Sequence, residues 1–375
     1  MLTEYLPHSA QAVADCTMAR YGLLNRKWSY DYGVVWRGME MLYALTGDCK
    51  YFDYVFRALD GMTAEDGTIQ GYDREAYNLD YLCNGRQMIF LYQQTGEEKY
   101  KKAAALLRSQ LDGQPRTSDG GFWHKKVYPY QMWLDGQHMA IPFYLQYEAA
   151  FGPKVAAQND AAKQLILAYR HTLNPETSLP CHGWDEQKQQ LWADPVTGRA
   201  AHAWGRAVGW YMVALADSLE LLPKENCHYT EVLEIFQQLS EKLLSIRQDG
   251  VWLQVLDCPG RTGNYSESSG SCLITYALLK GARLGYLPKE TGVEAQKSFE
   301  AIQRHFVGRM KNGETFVAKC CQGAGLGGSS GRDGSFDYYI SENVISFDLK
   351  ATGAYIQAAT EEEIYRTLKQ RSIRL

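Results

Sequence analysis

The feature that most constrains this chain is an apolar helical pattern that halts at a glycine, reverses, and recurs. Val34 to Leu45 runs apolar at helical spacing, stops at Thr46-Gly47-Asp48, and is followed by a second pattern from Tyr51 to Leu59. Gly85 to Gln94 repeats this, with Thr95-Gly96-Glu97 as the stop and Lys99 to Leu111 as the partner. Glycine readily takes the left-handed conformation that ends a helix, so each unit reads as an antiparallel helical hairpin. Further units open at Asp135 (partner Asn159 to Thr172), Arg206 (partner Thr230 to Arg247) and Ser269 (partner Val293 to Val307), and a last pattern covers Val344 to Ala359.

Six starts at intervals of about 50 to 75 residues mark a helical-repeat array. A lone hairpin cannot bury both faces, so neighbours either stack as a solenoid or close around an axis. Six pairs favour closure. The first helices carry Gly38, Gly85, Gly136, Gly209, Gly270 and Gly353, while the second carry charges such as Lys101-Lys102 and Glu241-Lys242. This sorting predicts an all-α (α/α)6 toroid, or barrel, with the first helices inside and the second outside, as one domain over residues 1–375. Repetition explains how so long a chain keeps one core, since compact single cores usually stop growing earlier. Pro142, inside the third inner pattern, predicts a kink or a late helix start.

Polar, aromatic connections join each outer helix to the next inner one: Thr63–Leu79, Gln114–Leu134, Asn174–Gly205, Asp249–Ser268 and Lys311–Glu342. In a toroid these gather at one end, beside the N-termini of the inner helices, where unpaired N–H groups favour anions. A net charge of -4 gives no electrostatic footprint for nucleic acid or an anionic membrane, and no apolar run spans a bilayer. Nine scattered cysteines without a CxxC pair suit a reducing compartment. The opening MLTEYLPHSAQAVADC lacks the pattern of a signal peptide. The expectation is a cytoplasmic monomer or weak homodimer.

The chemistry concentrates in Gly120–Tyr147, where Asp135 lies between an aromatic cluster (Trp123, Tyr128, Tyr130, Trp133) and Gly136, with His124 and Lys125 upstream. These are the ingredients of a pocket for a polar, anionic ring. Asp80 and Asp135 both start inner helices; each is a helix cap or a member of a carboxylate pair. In such a pair one pKa is expected to rise from about 3.9, so that one acid holds a proton. The connection Leu179–Trp210 adds His182, Trp204, Arg206 and Trp210. Arg206 either clamps a substrate carboxylate or forms a structural salt bridge to Asp185 or Asp194. Cys321–Ser335 contains Gly323, Gly325 and Gly328 in GxGxxG spacing, but Ser-Ser-Gly-Arg-Asp-Gly follows instead of a helix, so a flexible loop over the mouth is expected and no dinucleotide site. Metal-ligand motifs such as HExxH are absent from the sequence.

Four segments, FWHKKVYPYQMWLDGQHMAIPF, WDEQKQQLWADPVTGRAAHAWGRAVGWYMVALAD, WLQVLDCPGRTGNYSESSGSCLITYALLKGARLGYL and AGLGGSSGRDGSFDYYISENV, resemble glycoside hydrolase family 105. These are the unsaturated rhamnogalacturonyl hydrolases, related to the unsaturated glucuronyl hydrolases of family 88. The similarity runs from Tyr32-Gly33 to the last helix. It implies an (α/α)6 barrel without metal or cofactor, acting on an unsaturated oligosaccharide cut from pectin. Carried over by position, Asp135 in MWLDG is the catalytic acid and Asp80 in NLDYL the second carboxylate. His182, Lys125, Trp133, Trp204, Arg206, Trp210 and Tyr32 match pocket positions. His138 is a further substrate-contact candidate: Gln137-His138 stands where the family often has Leu-Tyr, which bears on the leaving-group subsite.

The implied reaction is hydration of the C4=C5 double bond that polysaccharide lyases leave on a uronic acid. Asp135 protonates C4 and helps water add at C5, Asp80 raises its pKa or orients hydroxyls, and Arg206 or Lys125 holds the uronate. Rival readings are an unsaturated glucuronate from ulvan, arabinogalactan or a glycosaminoglycan, and a non-catalytic sugar-binding toroid. A terpenoid cyclase lacks its DDxxD or DxDD run here, and an isomerase or epimerase requires paired histidines at the mouth.

Overall fold

The computed structural model describes residues 6–328 and 331–373, and for 370–373 the backbone alone. Its helices are α1 Ser9–Tyr21, α2 Tyr30–Thr46, α3 Cys49–Asp60, α4 Gly85–Thr95, α5 Glu98–Gly113, α6 Leu134–Phe151, α7 Val155–Thr172, α8 Gly205–Leu221, α9 Tyr229–Ser245, α10 Ser268–Arg283, α11 Lys289–Phe306, the short α12 Phe336–Ser341, and α13 Leu349–Ile373. Helices α2, α4, α6, α8, α10 and α13 pack in sequence order as an inner ring, and α13 returns onto α2 to close it. The fold is an (α/α)6 barrel.

The hairpin stops work as their sequences imply, and two of them are chemically alike. Gly47 and Gly96 take φ of 71° and 74°, and each N–H donates 2.8 Å back to Tyr43 and Tyr92. Thr46 and Thr95 turn their hydroxyls onto Leu42 and Leu91 carbonyls and accept the N–H of Asp48 and Glu97. Inner helix α8 is buried from Gly205 to Leu219, whereas outer α9 buries only a stripe including Val232, Ile235, Phe236, Leu239 and Leu243. Two of the inner glycines are points of backbone contact. A Cβ on Gly353 meets Val34 at 2.6 Å, and one on Gly270 meets Gly205 at 2.8 Å.

Three expectations are corrected. The sixth inner helix begins at Leu349, not Val344, because Val344–Ile345 pairs as a strand with Cys320–Cys321. Its outer partner comes from the other end of the chain: α1 packs on α13, so the last pair is not a sequential hairpin. Helix α6 starts at Leu134, well before Pro142, and runs through that proline without a late start. The start is fixed by the strand Gln131–Trp133 that leads directly into it.

Polar side chains pair between the inner helices, centred on Asp217 in the C-terminal half of α8. Asp217 on α8 accepts from Lys280 Nζ at 2.7 Å and Tyr276 Oη at 2.8 Å on α10, and from Arg86 Nη1 at 2.5 Å on α4. Arg86 Nε reaches Gln146 on α6 at 3.0 Å, Gln87 on α4 reaches Glu40 on α2 at 3.4 Å, and Arg283 on α10 pairs with Glu361 on α13. Gln357 on α13 donates to the Val34 carbonyl on α2 at 2.9 Å, a separate tie between the last inner helix and the first. Burial would raise the Asp217 carboxyl, but Lys280, Arg86 and Arg37 outweigh it and hold it well below the usual range. Removing this acid strands buried cations, so Asp217→Ala is expected to lose about 3–5 kcal/mol of stability. Urea unfolding followed by circular dichroism checks this as a lower midpoint.

Candidate active site

Strand register builds the centre of the site. Gln131–Trp133 pairs antiparallel with Gly183–Asp185, with Met132 opposite Trp184 and Trp133 opposite Gly183. The ladder extends one step further, as the Leu134 N–H donates to the His182 carbonyl at 3.1 Å. Asp135 and His182 are thus carried to the same place, and His182 Nε2 lies 3.1 Å from Asp135 Oδ2. The approach is close but off hydrogen-bond alignment for both atoms. His182 is fully buried, while 14% of the Asp135 side chain is exposed.

Aromatic rings wall this pair. Trp133 stacks on His124 at 4.7 Å and on Tyr128 at 4.9 Å, and meets His182 edge-on at 5.4 Å. Trp204 covers the other side of His182 at 4.7 Å, with its Nε1 held 3.1 Å from Gln254 Oε1. One turn further along α6, His138 stacks on Trp210 at 4.5 Å. Gly136 is required beside Asp135, because a Cβ there lies 2.9 Å from His124 Nδ1 and 3.0 Å from Leu79 Cδ1.

Asp80 stands on the 3₁₀ turn Leu79–Asn84 that leads into α4. Lys125 Nζ is 2.5 Å from its Oδ2, and His124 Nε2 is 3.6 Å from its Oδ1. This overturns the expectation that the two carboxylates press each other's pKa apart with Asp135 raised. Asp80 is neutralised by Lys125. Burial would raise the Asp135 carboxyl, but the facing His182 and then His124 outweigh it, and Asp135 sits below its usual value.

Arg206 is buried, and its Nη1 is spent on the Cys321 carbonyl at 2.6 Å and Ser269 Oγ at 3.1 Å, with Glu267 at 3.9 Å. The salt-bridge partners expected for it are engaged elsewhere: Asp185 caps the N–H groups of Gln187, Gln189 and Gln190, and Asp194 those of Val196 and Thr197. Among the described residues, His202, Asp257 and Cys258 are within metal-ligand reach of one another. Here His202 Nδ1 and Asp257 Oδ2 satisfy each other at 2.9 Å, and Asp257 Oδ1 also accepts the Ala203 N–H, so the group is read as structural.

A family model, Glycosyl Hydrolase Family 88, matches residues 9–366. The solved structure of a family 105 glycoside hydrolase from C. acetobutylicum ATCC 824 superposes with TM-score 0.92 at 41% identity, covering 95% of this chain and 99% of that one. The chain is a member of glycoside hydrolase family 105. A Bacillus subtilis (strain 168) protein described as the unsaturated rhamnogalacturonyl hydrolase YesR is 26% identical over 285 residues, which cover 73% of this chain and 76% of that protein. The unsaturated glucuronyl hydrolase of Bacillus sp. GL1 shares the fold at TM-score 0.66 and 14% identity, covering 93% of this chain and 94% of that one.

In this family 105 hydrolase, Asp135, His182, Lys125, Asp80, Trp133 and Trp204 form one connected group through the contacts above, and His138 and Trp210 form a stacked pair one turn further along α6. Tyr32 is not brought into it. Its ring meets Trp36 at 5.9 Å and Lys27 at 5.1 Å. Helical geometry turns residues two apart to opposite sides, and the ring at the site is Tyr30, edge-on to Trp210 at 6.3 Å. Burial raises the Tyr30 hydroxyl well above its usual pKa, with Arg206, Asp80 and Asp135 near enough to act on it.

The glycine-rich segment, expected as a flexible loop, is pinned in its described part. Leu326 is buried with Trp133 and Trp192, and Arg332 Nη2 donates to Tyr128 Oη at 3.1 Å; Ser329 and Ser330 lie outside the described residues. Tyr339 on α12 was not singled out by sequence, although it is fully buried and bonded to His182 Nδ1 at 2.8 Å. A signal was there in Tyr338-Tyr339, an aromatic pair closing a glycine-rich connection at the mouth.

His124 and His138 carry a pH dependence of stability. Burial pushes both imidazoles from 6.5 down to about 4. The unfolded chain therefore takes up these protons at a pH where the folded chain leaves both rings neutral. Their contribution is fully present above about pH 6.5 and is lost as pH falls toward about 4. Thermal unfolding measured across that range is expected to show a falling Tm, with a shallower fall in His138→Gln.

Proposed function

We propose that the protein removes the 4,5-unsaturated galacturonyl residue from the non-reducing end of lyase-generated rhamnogalacturonan oligosaccharides. The observation that carries this reading is the isolated Asp135 carboxyl, set 3.1 Å from His182 inside an aromatic box while the second acid, Asp80, is occupied by Lys125. Ordinary glycoside hydrolysis needs two free carboxyl groups flanking the anomeric carbon. Hydration of an enol ether needs one acid that gives a proton and takes one back. The described name of the Bacillus subtilis relative supports the galacturonyl substrate.

A uronate entering this buried site adds negative charge beside Asp135 and excludes water. Both effects raise the Asp135 pKa and favour its acid form when substrate is bound. Asp135 then protonates C4, the electron pair of the double bond forming the new C–H bond and leaving an oxocarbenium at C5. Water adds to C5 and returns a proton to Asp135. The C5 hemiketal opens to a ketone, leaving a hemiacetal at C1 that collapses to an aldehyde and releases the next sugar. Lys125 takes the uronate carboxylate, since its side chain is 20% exposed against 2% for Arg206 and it keeps donors beyond the one on Asp80. Arg206 holds the Trp204 wall, with its guanidinium 4.5 Å from that ring.

Loss of the ultraviolet absorbance of an unsaturated galacturonyl-rhamnose disaccharide tests the reading. Wild type is expected to consume it, and Asp135→Asn to be slower by about 10²–10⁴-fold, the usual worth of a positioned acid–base group. Equal rates in the two proteins remove Asp135 from this role. Consumption of the glucuronyl analogue alone moves the enzyme to the other substrate class.

Lys125→Met separates binding from chemistry. Its expected effect is a KM raised about tenfold or more, the size of a lost charge-assisted hydrogen bond of about 1.5–3 kcal/mol. Steady-state kinetics on the same disaccharide measures it.

A further inference from the structure

We propose that Tyr339 is a positioning residue that fixes the tautomer and orientation of His182, so that the Nε2–H of the imidazole faces Asp135. The inference rests on the reading of Asp135 as the acid, and adds to it the group that sets the state of its neighbour.

The argument begins with what each partner can do. The Tyr339 hydroxyl has one hydrogen and one described side-chain partner, His182 Nδ1 at 2.8 Å. Full burial keeps the phenol well above its usual pKa, so the hydrogen stays on it. Donation to Nδ1 makes that nitrogen the acceptor, and a neutral imidazole then carries its proton on Nε2. At the other end, an ionised Asp135 carboxylate only accepts. Its Oδ2 lies 3.1 Å from Nε2, a contact that is favourable when Nε2 bears the hydrogen. Both ends of the ring therefore select the same tautomer.

The phenol is itself held in place. The Tyr339 carbonyl accepts from Gln254 Nε2 at 3.0 Å, and Gln254 Oε1 accepts from Trp204 Nε1 at 3.1 Å. The Tyr339 ring stacks on Trp204 at 6.1 Å. Just before it, the Tyr338 hydroxyl accepts the Gly325 N–H at 3.0 Å, tying α12 to the glycine-rich connection. His182 packs against Trp133, Trp204, Tyr339 and Asp135, and among the described residues Asp135 is the charged side chain paired with its ring.

The consequence is kinetic. With the hydroxyl removed, Nδ1 loses its donor and the Asp135 contact alone holds the ring, so the imidazole is free to tilt. The Nε2–H then no longer stands at a fixed place against the carboxylate, which misplaces Asp135 between its two proton transfers.

The test compares wild type with Tyr339→Phe by ¹⁵N–¹H spectra of the His182 ring and by steady-state kinetics on the unsaturated disaccharide. Wild type is expected to show a protonated Nε2 and a hydrogen-bonded, unprotonated Nδ1. The variant is expected to lose the hydrogen-bond signature at Nδ1 and to lower kcat about 10–100-fold, the scale of losing a partner that orients a histidine, with KM within about twofold. A protonated Nδ1 in neutral wild-type His182 overturns the proposal without any variant. So does a variant whose His182 spectrum is unchanged, or whose loss falls on KM with kcat intact. The spectra decide the tautomer independently of the reaction, so a wild type inactive on this substrate sinks the proposed function and leaves the Tyr339 assignment to the spectra.

Discussion

A closed ring of helices must fill its own axis, and the chain fills part of it with buried charge. Asp217 is the pivot: its two oxygens collect Lys280, Tyr276 and Arg86, and separate pairs at Gln87, Arg283 and Gln357 tie the remaining inner helices. Buried ion pairs are weak sources of net stability, because desolvation offsets most of their attraction. A buried charge left without its partner is strongly destabilising, so these pairs penalise any arrangement of the six apolar helices that separates them. With the inner helices tied in this way, their N-terminal mouths are fixed as well.

At that mouth the controlling element is small. A short antiparallel pair sets Asp135 and His182 side by side, and a slip of one residue would turn both side chains away from each other. The remaining parts adjust what those groups can do. Lys125 pairs with Asp80, Gly136 lets His124 press against α6, and the stacked rings wall the Asp135–His182 pair. The glycine-rich connection contributes by anchoring, through Leu326 in the Trp133 cluster and Tyr339 on His182.

Much of the ring was legible in sequence. Gly47 and Gly96 end helices for the reason their position suggested, and the apolar, glycine-bearing first helices do lie inside. The misses have physical causes. Helix α1 buries Ser9, Ala10, Val13, Ala14 and Thr17, a face too weakly apolar to stand out, and its partner is at the far end of the chain. Tyr30, edge-on to Trp210, was not singled out beside Tyr32, because which side of the helix faces Trp210 is set by packing and not by the letters. The pKa argument assumed two bare carboxylates and left out Lys125, whose partner no local pattern names.

What the sequence determined by itself is periodic or local: helix stops, the sorting of inner from outer helices, and the presence of Asp135 at the start of an inner helix after an aromatic cluster. These follow from spacing and backbone preference, which act over a few residues. What only the tertiary structure decided is pairing between distant segments: Lys125 with Asp80, Arg206 with the Cys321 carbonyl, Tyr339 with His182, and α1 with α13. Each depends on how the ring closes. An ion pair or hydrogen bond across the barrel exists only when every intervening helix has taken its place, so no stretch of the chain carries it alone.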